Sequence, residues 1–177
     1  MWDSWIAYGT WALVLATAVL AGVALWQILE IRSENKKQRT LTACSMYDYD
    51  PVIFAARHEL RSALEASNLT GSAQHRGYII TILNYLDGIA IGLDRHLYDE
   101  KIARDHVRTI VFENCELYFK DEYFPKDPPP IWRDYLQLTL LMERWELPRG
   151  DERAFSIPGP MRDWIKQRRS DPSARRK

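Results

Sequence analysis

The chain has 177 residues, a formal net charge of zero, 46% hydrophobic residues and 12% aromatic residues. This aromatic content excludes a disordered chain, since disordered segments carry few aromatic side chains. The charge is uneven: residues 30–40 carry four basic and two acidic side chains, residues 161–177 carry seven and two, and residues 41–160 have a net charge of −6. We expect no nucleic-acid partner, because nucleic-acid-binding domains present a basic face rather than an acidic body between basic ends.

A charge-free run of 26 residues, Ser4 to Leu29, opens the chain. About 20 apolar residues in a helix cross the hydrocarbon core of a bilayer. Trp2 and Trp5 at one end and Trp26 at the other are typical of the aromatic belts at the two membrane interfaces. The run therefore predicts a transmembrane helix. Two alternatives fit less well, because a signal peptide has a basic start and a shorter core, and a buried helix of a soluble protein rarely stays charge-free for so long.

Basic residues cluster directly after this run, at Arg32, Lys36, Lys37 and Arg39. By the positive-inside rule, they predict a single-pass protein of the inner membrane with its N-terminus outside and the rest of the chain in the cytoplasm. A small-xxx-small pair within the run, Ala18 and Gly22, is compatible with self-association of the membrane helix or with the ordinary abundance of small residues in such helices.

Helical signals dominate the remainder, and no stretch shows strand alternation bounded by hairpin turns. Asp50-Pro51 reads as an N-cap followed by proline at the first helical position, and Asp99 reads as another N-cap. The sequence predicts an all-α fold in which one N-terminal transmembrane helix continues into a small cytoplasmic bundle of four to five helices. The predicted helices are the anchor helix continued to about Tyr47, then Pro51–Ala66, Gln74–Leu97, a helix from Asp99 to about Phe119, Ile131–Trp145 and a short Pro160–Arg168.

Three parts of the chain follow from this pattern: a transmembrane anchor at 1–31, a helical bundle domain at 32–147, and a basic C-terminal tail with a short amphipathic helix at 148–177. Apolar spacing also predicts which side chains face the core. The predicted inner positions are Val52, Ala55, Ala56, Leu60, Ala63 and Leu64 in the second helix, Ile79, Ile82, Leu83, Leu86, Ile89, Ala90, Leu93 and Leu97 in the third, and Ile102, His106, Ile110, Val111 and Leu117 in the fourth.

One segment resembles a known family. The run Leu83-Asn84-Tyr85-Leu86-Asp87-Gly88-Ile89-Ala90-Ile91-Gly92-Leu93, followed by Leu97-Tyr98-Asp99-Glu100, is similar to the pattern of a bacterial family called domain of unknown function 4760. Leu86 stands where that pattern has an aromatic residue, and Asp87 where it has Glu. The resemblance implies an α-helical, membrane-associated protein and supplies no activity or catalytic residue.

The polar and small residues of this segment have two interpretations. Asn84 and Asp87 share a helix face with Gly88, and Gly88 and Gly92 leave room for a neighbouring helix at a cost of about 1 kcal/mol each in helix propensity. In the first interpretation, Asn84 and Asp87 make a polar contact across the bundle, to Arg57 or Arg61. In the second interpretation, Asn84, Asp87 and the neighbouring Asp94 line a groove for a ligand or partner.

No pattern typical of an enzyme appears, and we predict no catalytic, cofactor-binding or metal-binding residue. Cys44 and Cys115 lack the spacing of metal ligands and are expected to be buried, reduced thiols. His96, Asp99, Glu100 and His106 lie close in sequence and would suit a metal, but Asp99 as a helix cap with Glu100 near the helix dipole explains the same residues.

The C-terminal segment combines apolar and basic residues. Met161, Trp164 and Ile165 lie beside Lys166, Arg168 and Arg169. Such a segment binds anionic lipid when its apolar face is free. The alternative is a solvated, disordered tail with Trp164 packed on the bundle.

The sequence thus favours a membrane-anchored interaction or sensing module whose partners are the lipid bilayer and either another protein or a second copy. Candidate contact residues are Asn84, Asp87, Gly88, Gly92, Tyr118, Tyr123 and Phe124. Two other functions stay open: a membrane-disrupting effector of a defence or toxin system, and a membrane-tethered hydrolase.

Overall fold

The computed structural model describes residues 2–66, 68, 72–119, 131–146, 157 and 159–170, with side chains described from residue 11 onward except at 12, 169 and 170. Every regular element within these ranges is helical. The elements are α1 (Trp2–Tyr49), α2 (Pro51–Glu65), α3 (Ala73–Asp94), α4 (Glu100–Tyr118), a 3-10 turn (Ile131–Arg133), α5 (Leu136–Trp145) and α6 (Gly159–Ser170). The predicted all-α fold is confirmed.

The chain divides into two compact units, Met1–Arg39 and Thr40–Lys177. The first consists of the N-terminal part of α1. By length and composition, α1 is apolar enough to cross a membrane, and none of its most apolar 18-residue window is buried. The described side chains of this unit are exposed, apart from the half-buried Lys36 and Lys37. An apolar helix without protein cover is the form expected of a membrane span.

The second unit is a helical bundle built around α3, which packs against α2, α4 and α5, while α6 packs against α5. α3 has this central place because its apolar side chains recur at three- and four-residue intervals, and all the predicted inner positions from Ile79 to Leu93 are buried. The end of α1 contributes Thr40, Cys44 and Tyr47 to the same core.

Side-chain caps begin the helices where the sequence predicts them. The Asp50 carboxylate accepts the Val52 and Ile53 N–H groups, with Pro51 in the first turn of α2. The Asp99 carboxylate accepts the Ile102 N–H at 3.1 Å and begins α4. Each cap satisfies backbone donors that have no partner within the first turn of a helix.

α3 ends at Asp94, three residues earlier than the predicted Leu97, and Leu97, which was predicted to face the core, is exposed. His96 has a φ of 57°, and its N–H donates to the Leu93 carbonyl while the Leu97 N–H donates to Gly92. This pair of bonds is a Schellman motif, which turns the chain out of the helix at a left-handed residue. The position is usually glycine, which explains why the sequence pattern did not reveal it.

Two predicted inner faces are partly wrong. On α4 the buried side is formed by Ala103, Val107, Val111, Phe112, Asn114, Cys115 and Tyr118, whereas His106 is exposed and its Nδ1 lies 2.9 Å from the Ile102 carbonyl oxygen of its own helix. On α2 the buried residues are Ile53, Ala56 and Leu60, and Val52 and Leu64 are exposed. In both helices the buried residues keep the three-four spacing, but the pattern begins one position later in the chain than predicted.

Candidate functional site

The segment Asn84–Gly92 lies on α3 at the centre of the bundle, and Tyr98–Glu100 follow in the connection to α4. Side chains and backbone groups of this segment contact the end of α1, the start of α5 and the end of α5. The contacts of its individual residues show what each residue type does at its position.

Asp87 caps a helix to which it does not belong. Its Oδ1 accepts the Leu138 backbone N–H at 2.9 Å, within the first turn of α5. The residue at the N-cap position of α5, Tyr135, makes no side-chain capping bond, so Asp87 supplies the acceptor that the local sequence lacks. Burial raises the pKa of the Asp87 carboxyl, and the Leu138 N–H bond partly opposes this rise.

Asn84 contacts the same connection. The Tyr135 hydroxyl donates to Asn84 Oδ1 at 3.1 Å, and burial, with the charge of Asp87, raises the pKa of Tyr135 to about 12. The predicted polar contact across the bundle is present, but the predicted partners were wrong. Arg57 binds Asp48 and Arg61 binds Glu65, while Asn84 and Asp87 contact residues that precede or begin α5.

Tyr85 and Tyr47 connect α3 to the end of α1. The Tyr85 hydroxyl donates to the carbonyl oxygens of Ala43 and Cys44 at 2.7 and 3.1 Å, and the Tyr85 ring stacks on Tyr47 with centroids 5.8 Å apart. Burial raises the pKa of the Tyr85 hydroxyl, which therefore remains a neutral donor at ordinary pH. This hydrogen bond joins the Tyr85 side chain on α3 to the backbone near the end of α1.

The two glycines of the segment have different roles. A methyl group built at Gly92 would overlap the Tyr98 ring, so Gly92 makes room for the residue that follows the end of α3. Gly88 is exposed and has open space where its Cβ would lie. The expectation that both glycines admit a neighbouring helix is wrong, because the close approach at Gly92 is made by a side chain and Gly88 has none.

Asp99 and Glu100 complete the contacts. The Asp99 N–H donates to Thr40 Oγ1 at 2.7 Å, while its carboxylate caps α4. Glu100 Oε1 accepts the indole N–H of Trp145 at 3.0 Å and pairs with Arg144 at 3.0 Å. Trp145 is fully buried at the end of α5, so Glu100 gives its indole N–H the partner that a buried donor requires.

These contacts favour a structural role for the polar residues of the segment. The two acidic residues that were candidates for metal binding, Asp99 and Glu100, are already used as a cap and as an indole acceptor. Among the described residues, no group of three or more His, Cys, Asp and Glu side chains is placed to hold a metal ion. Cys44 and Cys115 are buried and unbridged, and burial raises the pKa of Cys44 to about 11 and that of Cys115 well above its ordinary value. Both thiols are thereby kept protonated and unreactive.

A groove of about 450 Å³ lies between α2 and α4. Phe54 and Leu64 on α2 form its apolar wall, 58% and 45% exposed, and Tyr118 on α4 lies buried within it. His58, Arg61 and Glu113 are the polar lining residues nearest to solvent. Of the predicted contact residues, Tyr118 lines this groove but is buried, although it was predicted as an exposed contact residue. Tyr123 and Phe124 lie outside the described residues. Sequence reasoning missed Phe54 and assigned Leu64 to the core.

α6 is held to the bundle through one face, and Asp163, Lys166 and Gln167 on its other face are exposed. Met161 and Ile165 are buried, the Trp164 ring meets Trp132 edge-on with centroids 5.2 Å apart, and Arg162 pairs with Glu146. Trp164 is thus packed on the bundle, as the alternative interpretation predicts, but residues 159–170 form a helix and not the disordered tail of that interpretation. Lys166 is exposed and the Arg168 guanidinium lies over Trp164 at 5.2 Å, while the side chain of Arg169 lies outside the description.

At the predicted membrane-interface positions, Trp26 and Arg32 are exposed and Lys36 is half-buried, and Lys37 pairs with Glu34 at 2.6 Å. The side chains of Trp2 and Trp5 lie outside the description.

The architecture and the contacts of α3 define a helical protein with one N-terminal helix that could span a membrane. Residues 14–145 match the family model described as Domain of unknown function (DUF4760). The match covers more than half of the chain, and the protein belongs to this family. The chain matches none of the curated proteins and none of the solved structures.

Proposed function

We propose that the protein is a single-pass membrane-anchored interaction module, held at the cytoplasmic face of the inner membrane by α1. The uncovered apolar side chains of α1 and the basic cluster from Arg32 to Arg39 support the anchor and its direction. The helical bundle then faces the cytoplasm and is available to a protein partner.

The observation that carries the interaction function is the groove between α2 and α4. Phe54 and Leu64 expose large apolar side chains along its wall, and ten residues of helix separate them, a distance of about 15 Å. A wall of that length accepts about three turns of an amphipathic helix, which binds through apolar residues three and four apart. We infer that the partner is such a helix from a second protein.

The charges beside the apolar wall support one feature of this partner. Arg61 lies next to Leu64, and its own ion pair, with Glu65, is solvent-exposed on both sides. Exposed pairs contribute about 0–1 kcal/mol and exchange readily. An acidic residue on the partner helix beside its apolar face would therefore bind Arg61 at little cost.

Site-specific photocrosslinking in native membranes tests this function. A benzophenone amino acid replaces Phe54 or Leu64, and Val52, which is 63% exposed on α2 but outside the groove, is the matched control. We expect discrete adducts from positions 54 and 64 whose partner peptides map to an amphipathic helix, and no such adduct from position 52. Leu117→Arg, which fills the groove from α4, is expected to abolish them.

Equal adducts from all three positions, or none from the groove, would overturn the proposal. A membrane-potential dye in the same cells separates the module from a membrane-disrupting effector. A module leaves the potential unchanged on overexpression, whereas an effector dissipates it.

A further inference from the structure

The cytoplasmic end of the first unit carries a heptad pattern that the bundle does not use. Reading α1 in heptads abcdefg, the a and d positions from residue 14 to residue 38 are all uncharged and all exposed. They are Val14, Thr17, Ala21, Ala24, Ile28, Ile31, Asn35 and Gln38, which we call the α1 seam.

The pattern persists beyond the apolar run, where charge is abundant. Six charged residues lie between positions 30 and 39, and all of them occupy b, c, e or g positions. Ile31, Asn35 and Gln38 are the only residues of that stretch at a or d. The hydrophobic length of the membrane span accounts for the absence of charge in the span but not in this stretch. Here the charged residues avoid the a and d positions, as they do at the seam of a coiled coil.

The residues that flank the seam have opposite charges on its two sides. Glu34 is at a g position, and Arg32 and Arg39 are at e positions. In a parallel two-stranded coiled coil, a g residue of one helix lies beside the e residue five positions later on the other helix. Glu34 and Arg39 have that separation. An antiparallel pair would instead place the arginines of one copy among those of the other.

We propose that a second copy of this chain covers the α1 seam in a parallel two-stranded pair, with Glu34 of each copy beside Arg39 of the other. A protein with this anchor meets its second copy in the same orientation, so the parallel arrangement rests on the proposed membrane topology. Two-fold symmetry presents the same surface twice and forms the Glu34–Arg39 pair twice. Asn35 at an a position and Gln38 at a d position then face their equivalents, where amide side chains fix register and strand number.

This surface differs from the small-residue pair noted in the sequence. Gly22 is at a b position and so points away from the seam, although it has open space around its Cα. Variants on the two faces therefore separate the two modes of association.

Cysteine crosslinking of the full chain in native membranes tests the seam. Asn35→Cys and Gln38→Cys are compared with Ser33→Cys and Lys36→Cys, which lie at f and b positions. The unsubstituted chain gives the background, since its own thiols are buried. We expect at least about tenfold more disulfide-linked dimer from the seam positions, because a disulfide requires Cβ atoms about 3.5–4.5 Å apart.

Charge exchange tests the register. Glu34→Arg and Arg39→Glu each place like charges together and are expected to lower the dimer yield of Gln38→Cys, and the double variant is expected to restore it. Lys36→Glu is the matched control, because it changes the net charge as Arg39→Glu does but lies off the seam.

Crosslinking that is equal at all four positions, or a double variant that stays as low as the single ones, would overturn the proposal. If Gly22→Leu loses the dimer while the charge variants keep the dimer yield of the parent, the pairing belongs to the other face and the proposal is overturned. The seam proposal can also fail alone. In that case the cysteine variants at the seam give only monomer, while the chain stays in the membrane fraction and the groove adducts persist, so the proposed function still holds.

Discussion

The Asp87 carboxylate on α3 accepts the Leu138 backbone N–H on α5 at 2.9 Å, and so one helix caps the start of another. Local capping is impossible there, because the residue at the N-cap position is Tyr135. The start of α5 is consequently defined by a tertiary contact and depends on α3 being in place. This dependence explains why an acidic side chain lies half-buried in an otherwise apolar helix.

Removal of this cap is expected to destabilise the bundle. Asp87→Ala leaves the Leu138 N–H without its acceptor and is expected to lower the free energy of unfolding by about 1–2 kcal/mol. Asp87→Asn keeps an acceptor oxygen of the same reach and is expected to change it by less than about 0.5 kcal/mol. Urea unfolding of the detergent-solubilised full chain measures both. Equal losses for the two variants would show that the charge, rather than the acceptor, matters.

The same carboxyl makes stability depend on pH. Burial raises the pKa of Asp87 above its ordinary value of 3.8, so the folded state retains a proton that the unfolded state releases. Between 3.8 and the folded-state pKa, this group's contribution to stability falls as pH rises. We expect the difference in unfolding free energy between the parent chain and Asp87→Asn to shift in favour of the variant across that window. A difference independent of pH would contradict the buried position of the carboxyl.

The left-handed residue at the end of α3 predicts a stabilising substitution. His96 has a φ of 57°, which costs a non-glycine residue about 1 kcal/mol or more. His96→Gly is expected to raise the free energy of unfolding by up to about 1 kcal/mol, because part of the gain is lost to greater freedom of the unfolded chain. His96→Val is expected to lower it, since a β-branched residue resists this conformation. Thermal unfolding measures both, and a destabilising glycine would contradict the Schellman end.

The two glycines of α3 form a matched pair. Gly88→Ala places a methyl group in open space and is expected to stabilise the bundle by about 0.5–1 kcal/mol through helix propensity. Gly92→Ala overlaps the Tyr98 ring and is expected to be at least about 1 kcal/mol less stable than Gly88→Ala, because overpacking displaces the ring. In a Tyr98→Ala background the penalty at Gly92 should disappear. If it persists there, contact with Tyr98 is not its cause.

Much of the fold follows from local sequence signals, such as helix caps and apolar spacing. The N-caps Asp50 and Asp99, and the apolar spacing of α3, each act within a few residues and could be predicted. The end of α3 at His96 could not, because its left-handed turn is usually marked by glycine. The start of α5 could not either, because its cap comes from Asp87, which lies far away in sequence.

The candidate sites show the same division. Asn84 and Asp87 could be singled out as polar residues in an apolar helix, but their partners Tyr135 and Leu138 depend on the tertiary arrangement. The groove was hidden because Leu64 fits the core periodicity of α2 as well as Ile53 does. Only packing against α3 decides which of the two is buried.

We propose above that α1 crosses the membrane once, with the bundle in the cytoplasm. Single cysteines at Ser4, the first residue of the charge-free run, and at Ser33, beyond its other end, report this directly when a membrane-impermeant maleimide is applied to intact cells, since the native thiols are buried. We expect labelling of Ser4→Cys in intact cells and of Ser33→Cys only after permeabilisation. Labelling of Ser33→Cys in intact cells, or recovery of the chain in the soluble fraction, would contradict it.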